Sequence, residues 1–115
     1  MPISISIPAQ NVDASGRNLV YAIGTLTFTG SYPTGGDTLD LTTVADKLSS
    51  SQIVQLVVDS LNGNNMYYVA VVGSALNNHK IKAFSAGGTE IAAGAYPGGV
   101  TGDTVQVRIT ARKFL

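Results

Sequence analysis

Alternation of apolar and polar residues with a period of two runs through most of this chain, and only β-strands place such residues on two separate faces. Thr104 to Lys113 shows it most cleanly. Val105, Val107, Ile109 and Ala111 point one way, and Thr104, Gln106, Arg108, Thr110 and Arg112 point the other. Ile3, Ile5 and Ile7 alternate with Ser4 and Ser6 until Pro8 ends the run. Proline cannot donate to a ladder, so this segment is expected at or near a sheet edge. Leu19 to Thr29 is rich in β-branched and aromatic residues and predicts a long strand, bent or bulged at Gly24. Ile53 to Leu61 predicts another, with Val54, Leu56 and Val58 on one face and Ile53, Gln55, Val57 and Asp59 on the other.

Turn chemistry separates these runs. Gln10 to Asn18 and Gly30 to Asp37 read as loops, and Thr38 to Leu41 as a short extended piece. Asn62-Gly63 between two apolar runs is the strongest hairpin signal, with Met66 to Val72 as the partner strand. Asn77-Asn78 precedes a strand from His79 to Ser85, and Gly87-Gly88 precedes one from Thr89 to Ala93. Tyr96 to Gly99 reads as a loop. The single helical turn expected runs from Thr43, a candidate cap, to Ser49, with Val44 and Leu48 at i and i+4. About six or seven strands with turn signals roughly every 8–12 residues predict one all-β domain over residues 1–115. The expected form is an antiparallel β-sandwich (jelly-roll-like) or barrel, with residues 1–8 as an extended N-terminal arm.

The 115 residues suit one core, and 44% of them are hydrophobic. Only 12% are charged, against roughly 25% in ordinary soluble domains, and the net charge is zero. Such a surface offers no broad field for nucleic acid or an anionic membrane, and its scarcity of charge favours association. Met1 to Ile5 lacks a basic region followed by an apolar stretch, so no signal peptide is expected. No apolar run approaches the ~18 residues of a membrane helix.

Chemistry-bearing residues are sparse. There is no cysteine and one histidine, His79, so neither a histidine-rich nor a thiolate zinc site can be assembled. His79 stands beside an Asn-Asn turn and reads as an exposed turn residue, not a base. Asp37 and Asp40 could pair near a Gly-rich loop, but read better as a turn-fixing side chain and a solvated one; Asp13 and Asp103 read as turn residues too. Gly35-Gly36 and Gly98-Gly99 lack the Gly-Lys-Ser/Thr that a phosphate loop requires. Arg108, Arg112 and Lys113 could form a small basic patch, better suited to a solvated face or a protein contact than to nucleic acid. Of the tyrosines Tyr21, Tyr32, Tyr67, Tyr68 and Tyr96, two lie in Gly/Pro loops. Tyr32 and Tyr96 are therefore candidate contact residues, or else close the ends of the sandwich. The expectation is a protein that is not an enzyme and takes no cofactor or metal.

The run Gly30-Ser31-Tyr32-Pro33-Thr34-Gly35-Gly36-Asp37-Thr38-Leu39 resembles a motif of small virion proteins of tailed bacteriophages, in which a strand ends in Gly-Ser-Tyr and a Gly-Gly-Asp loop leads to a short apolar element. The order that follows is also similar: the Ile53 and Met66 strands, Lys80-Ile81-Lys82-Ala83-Phe84, Glu90-Ile91-Ala92-Ala93-Gly94 and a final alternating strand. The resemblance covers about Leu19 to Arg112. It implies a capsid decoration (cement) protein or another head or tail component, made in the host cytoplasm and located on the virion's capsid surface. Its expected partners are the major capsid protein and its own copies, as a trimer or dimer, with no nucleic acid or membrane. The contacts expected to carry this role are Ile3, Ile5 and Ile7 of the arm, with Tyr32 and Tyr96. The alternative is a carbohydrate-binding β-sandwich, against which the absence of tryptophan counts.

Overall fold

A computed structural model describes residues 3–48, 52–63, 65–73 and 75–113. Ten strands form, in chain order: β1 (Ile3–Ser6), β2 (Val12–Asp13), β3 (Leu19–Phe28), β4 (Ser31–Tyr32), β5 (Asp37–Leu39), β6 (Ile53–Ser60), β7 (Asn65–Val71), β8 (His79–Ser85), β9 (Gly94–Ala95) and β10 (Val105–Arg112). One sheet has the order β1-β3-β10-β6, with β2 also on β3; a second has the order β5-β8-β7; β4 and β9 make a short ribbon. All pairings are antiparallel. The fold is therefore an all-β sandwich and not a closed barrel.

The core follows from the alternation. Val20, Ala22, Leu26 and Phe28 of β3 and Val105, Val107, Ile109 and Ala111 of β10 are buried on the inner side of the first sheet. Leu39, Ile81 and Ala83 are buried from the second. At about 25 cal/mol per Å² of apolar surface removed from water, this shared inner face is the main stabilising term.

The strand Ile3–Ser6 pairs with β3 at the sheet edge, as its proline stop predicts. It does not stand off as a free arm. Ile3 and Ile7 are buried in the chain's own core and Ile5 is half-buried, because burying them there removes apolar surface from water. Met1 and Pro2 of the expected arm lie outside the described residues. The register runs through Gly24 without the expected bulge. The chain at Ser6–Ile7 crosses directly over this residue: a Cβ on Gly24 would lie 2.7 Å from the Ser6 carbonyl oxygen and 2.8 Å from Ile7 Cγ1.

Further expectations are corrected. The Asn62-Gly63 turn exists, with Gly63 at φ +74°, but it does not join hydrogen-bonded partners. β6 pairs with β10, and β7 with β8, so the turn passes the chain from one sheet to the other. In β6 the register shifts where Thr110 opposes Gln55 and Ala111 opposes Ile53. The extra residue, Val54, is turned to solvent, and Ile53 joins Leu56 and Val58 in the core. Strict alternation put Ile53 on the opposite face. The strand expected at Thr89–Ala93 reduces to a single bridge between Phe84 and Glu90, followed by β9. The expected helical turn is a 3₁₀ segment, Thr42–Lys47, with Leu41 in place of Thr43 at its cap; Ser49 lies outside the described residues. A four-residue α-helical turn, α1 (Gly98–Thr101), forms after Pro97, where a loop was expected.

Candidate functional site

The polar residues singled out in the sequence are mostly structural. Tyr32 is 1% exposed and Tyr96 8%, so neither is a surface contact. Both rings pack inside, where Phe28 lies 5.4 Å from Tyr96 and Tyr96 lies 5.7 Å from Tyr32, centroid to centroid. Tyr67 stacks on Phe28 at 5.3 Å. Such rings stay buried when their hydroxyls find partners, and here each finds a carboxylate. Tyr32 donates to Glu90 Oε2 at 2.6 Å, Tyr96 to Asp37 Oδ2 at 2.6 Å, and Tyr67 to Asp103 Oδ2 at 2.9 Å. Burial and then the bond to Glu90 push the Tyr32 hydroxyl up to about 12. Burial first, and the carboxylate second, raise Tyr67 and Tyr96 well above the usual phenol range. The Tyr32 hydroxyl and the Gly35 amide hold Glu90 below the usual carboxylate range. These phenols are hydrogen-bond donors and not bases.

Asp37 is accordingly more than a turn-fixing residue. It is buried, and its second oxygen accepts the Thr38 amide. Asp103 also accepts the Ser60 hydroxyl and so ties β6 to the loop before β10. Asp13 fixes a turn through Ser15, as expected, and Asp40, expected to be only solvated, does the same through Thr42; these bonds lower both carboxyls.

His79 is corrected outright: it is fully buried. It begins β8, where His79, Ile81 and Ala83 face the core and Lys80 faces out. The same alternation in the sequence carried this signal, and the neighbouring Asn-Asn turn obscured it. Nδ1 accepts the Gly73 amide at 3.0 Å, which leaves the ring proton on Nε2, a buried nitrogen without a partner among the described residues. Burial lowers the pKa from its ordinary 6.5. The unfolded chain therefore takes up this proton first. The contribution is level above 6.5 and stability falls as pH drops from there toward the folded-state pKa. Urea midpoints measured over that window should decline for the wild type and stay flatter for His79→Leu. Equal slopes would contradict this assignment.

The outer side of the five-stranded sheet carries aromatic, apolar and cationic side chains together in solvent. The registers build it in three rows. Arg108 lies between Ile23 and Val57, Thr110 between Tyr21 and Gln55, and Gln106 between Thr25 and Asp59. Tyr21 is 49% and Ile23 37% exposed, although both sit mid-sheet. Tyr21, Ile23, Gln55, Val57, Arg108 and Thr110 line a shallow concavity of about 310 Å³. Of the three basic residues weighed as a patch, Arg108 and Arg112 share the exposed side of β10. Arg108 is at the centre of this face, Arg112 is engaged within the chain, and Lys113 Nζ folds back onto the carbonyls of Ala14 and Gly16. Arg108 makes no hydrogen bond or ion pair among the described residues.

Among the described residues, no group of three or more His, Cys, Asp or Glu side chains could hold a metal ion. No helix among the described residues is long and apolar enough to cross a membrane. No family model, curated protein or solved structure matches the chain.

Proposed function

We propose that this chain is a non-enzymatic structural protein of a tailed-phage particle that decorates the capsid, bridging neighbouring major capsid proteins as a trimer or dimer. The observation that carries the proposal is the outer sheet face, where a tyrosine, an isoleucine and an arginine without a partner among the described residues are exposed together mid-sheet. Aromatic residues and arginine are enriched at protein contacts, and lysine and glutamate depleted, which is the composition here. The resemblance of Gly30 to Leu39 to small virion proteins adds to it. Tyr32 and Asp37, which carry that resemblance, anchor the core through Glu90 and Tyr96, so the motif is one of scaffold. A decoration protein works by adding buried area across shell seams, so internal pressure is shared among more contacts.

The test is the copy number of the chain per purified particle, by quantitative mass spectrometry against the major capsid protein. A ratio near one, or a simple fraction of it, supports decoration. A handful of copies supports the alternative of a tail or connector part, and absence from the particle overturns both. A second reading, a carbohydrate-binding module, is favoured by Tyr21 beside Gln55 and Arg108 in the concavity. A glycan array that gave a saturable, Tyr21-dependent hit would replace decoration with that reading.

A further inference from the structure

We propose that the outer face of the five-stranded sheet is the docking surface, and that its partner is a protein presenting an aspartate or glutamate side chain, ringed by apolar groups, to Arg108. This rests on the reading of the chain as a capsid-binding protein and names the surface and the chemistry it uses.

The argument is one of charge complementarity. A guanidinium is always ionised and carries five donors in a planar fork that matches a carboxylate's two oxygens. Arg108 has none of these donors paired among the described residues. Its immediate cross-strand neighbours are apolar, Ile23 on one side and Val57 on the other. Acids stand in both flanking rows, Asp59 opposite Gln106 and Asp13 opposite Tyr21, and neither forms an ion pair with Arg108 among the described residues. An apolar partner that covered Ile23, Val57 and Tyr21 would take Arg108 out of water without compensation, a strongly unfavourable event. A partner that brings its own carboxylate onto Arg108 avoids that cost. A polyanion is the wrong shape of charge: nucleic acid is held through several phosphates at once, and among the described residues this face offers one unpartnered cation, Arg108, in a chain of zero net charge. One carboxylate within an apolar rim fits.

Two measurements separate this proposal from the functional reading on which it rests. The first needs no capsid. The labelled protein is titrated with Ac-Leu-Glu-Leu-NH2 and, separately, with Ac-Leu-Gln-Leu-NH2, following the Arg108 Nε–H and Ile23 methyl signals by NMR. Saturable shifts confined to this face are expected with the Glu peptide, at on the order of millimolar concentration, and not with the Gln peptide. Equal responses, or shifts elsewhere, overturn the docking surface. The second uses capsids lacking the chain, with wild type, Arg108→Gln, Arg108→Glu and, on the outer side of the other sheet, Lys80→Glu. Arg108→Gln should bind about 10-fold or more weakly and Arg108→Glu not measurably, with Lys80→Glu unchanged and all variants equal in thermal midpoint. Wild-type binding with undiminished Arg108→Glu binding overturns the surface and keeps the function. Failure of the wild type to bind overturns the function, and the peptide titration alone then decides the surface.

Discussion

Replacing Gly24 by valine should destabilise the domain by about 3 kcal/mol or more, a large share of the roughly 5–15 kcal/mol that holds a domain of this size together. On propensity alone the sign would be opposite. Glycine inside a strand costs roughly 0.5–1 kcal/mol relative to alanine, and valine suits a strand better still. The close approach decides it. The new Cβ would meet the Ser6 carbonyl oxygen at 2.7 Å, and that atom is backbone of a strand paired at the edge of the sheet. Relief requires β1 to move off β3, which takes Ile3 and Ile7 from the core. Alanine should cost less, about 2 kcal/mol, since it lacks the branch. Thr25→Val, the next position on the exposed side of β3, should stay within about 0.5 kcal/mol. Urea unfolding of the three variants measures this. A neutral or stabilising Gly24→Ala would show that the crossing of Ser6–Ile7 over β3 is wrong.

Asp37→Ala should cost about 3 kcal/mol. The carboxylate accepts from the Tyr96 hydroxyl and the Thr38 amide, and it is 4% exposed. Its removal leaves both donors short of an acceptor in a site that water reaches poorly, and hydrogen bonds to a charged group are worth about 1.5–3 kcal/mol each. Tyr96→Phe should cost about 2 kcal/mol, because it strands one carboxylate oxygen and keeps the ring on Phe28. The double variant should be less destabilised than the sum of the two, by about 1 kcal/mol or more, since the second change removes the group that the first left unpaired. Additivity would mean that the two side chains do not meet.

The strands themselves were legible because period two is a local property. β10 and the exposed side of β3 follow directly from the order of their residues. β1 was rightly placed at an edge from Pro8 alone. The candidate contacts were not legible. Tyr32 and Tyr96 sit in Gly/Pro-rich segments that look exposed, and what buries them is a pair of carboxylates, Glu90 and Asp37, that lie 58 and 59 residues away in sequence. Arg108 and Tyr21 were both visible as residues, but nothing local placed them in neighbouring rows of one face. That takes the β3–β10–β6 registers.

The sequence by itself determined the class of the fold, the position of most strands and the identity of most core residues, because alternation, proline and turn chemistry act over a few neighbouring residues. Tertiary structure alone decided strand partnership. Asn62-Gly63 favours a tight turn whichever strands it joins, and the choice of β10 over β7 as the partner of β6 depends on which pairing buries Leu56, Val58, Val107 and Ile109 together. It also decided the fate of the polar groups: His79 and Asp37 went inside because the pleat and the neighbouring tyrosine, far away in the chain, left them no other place.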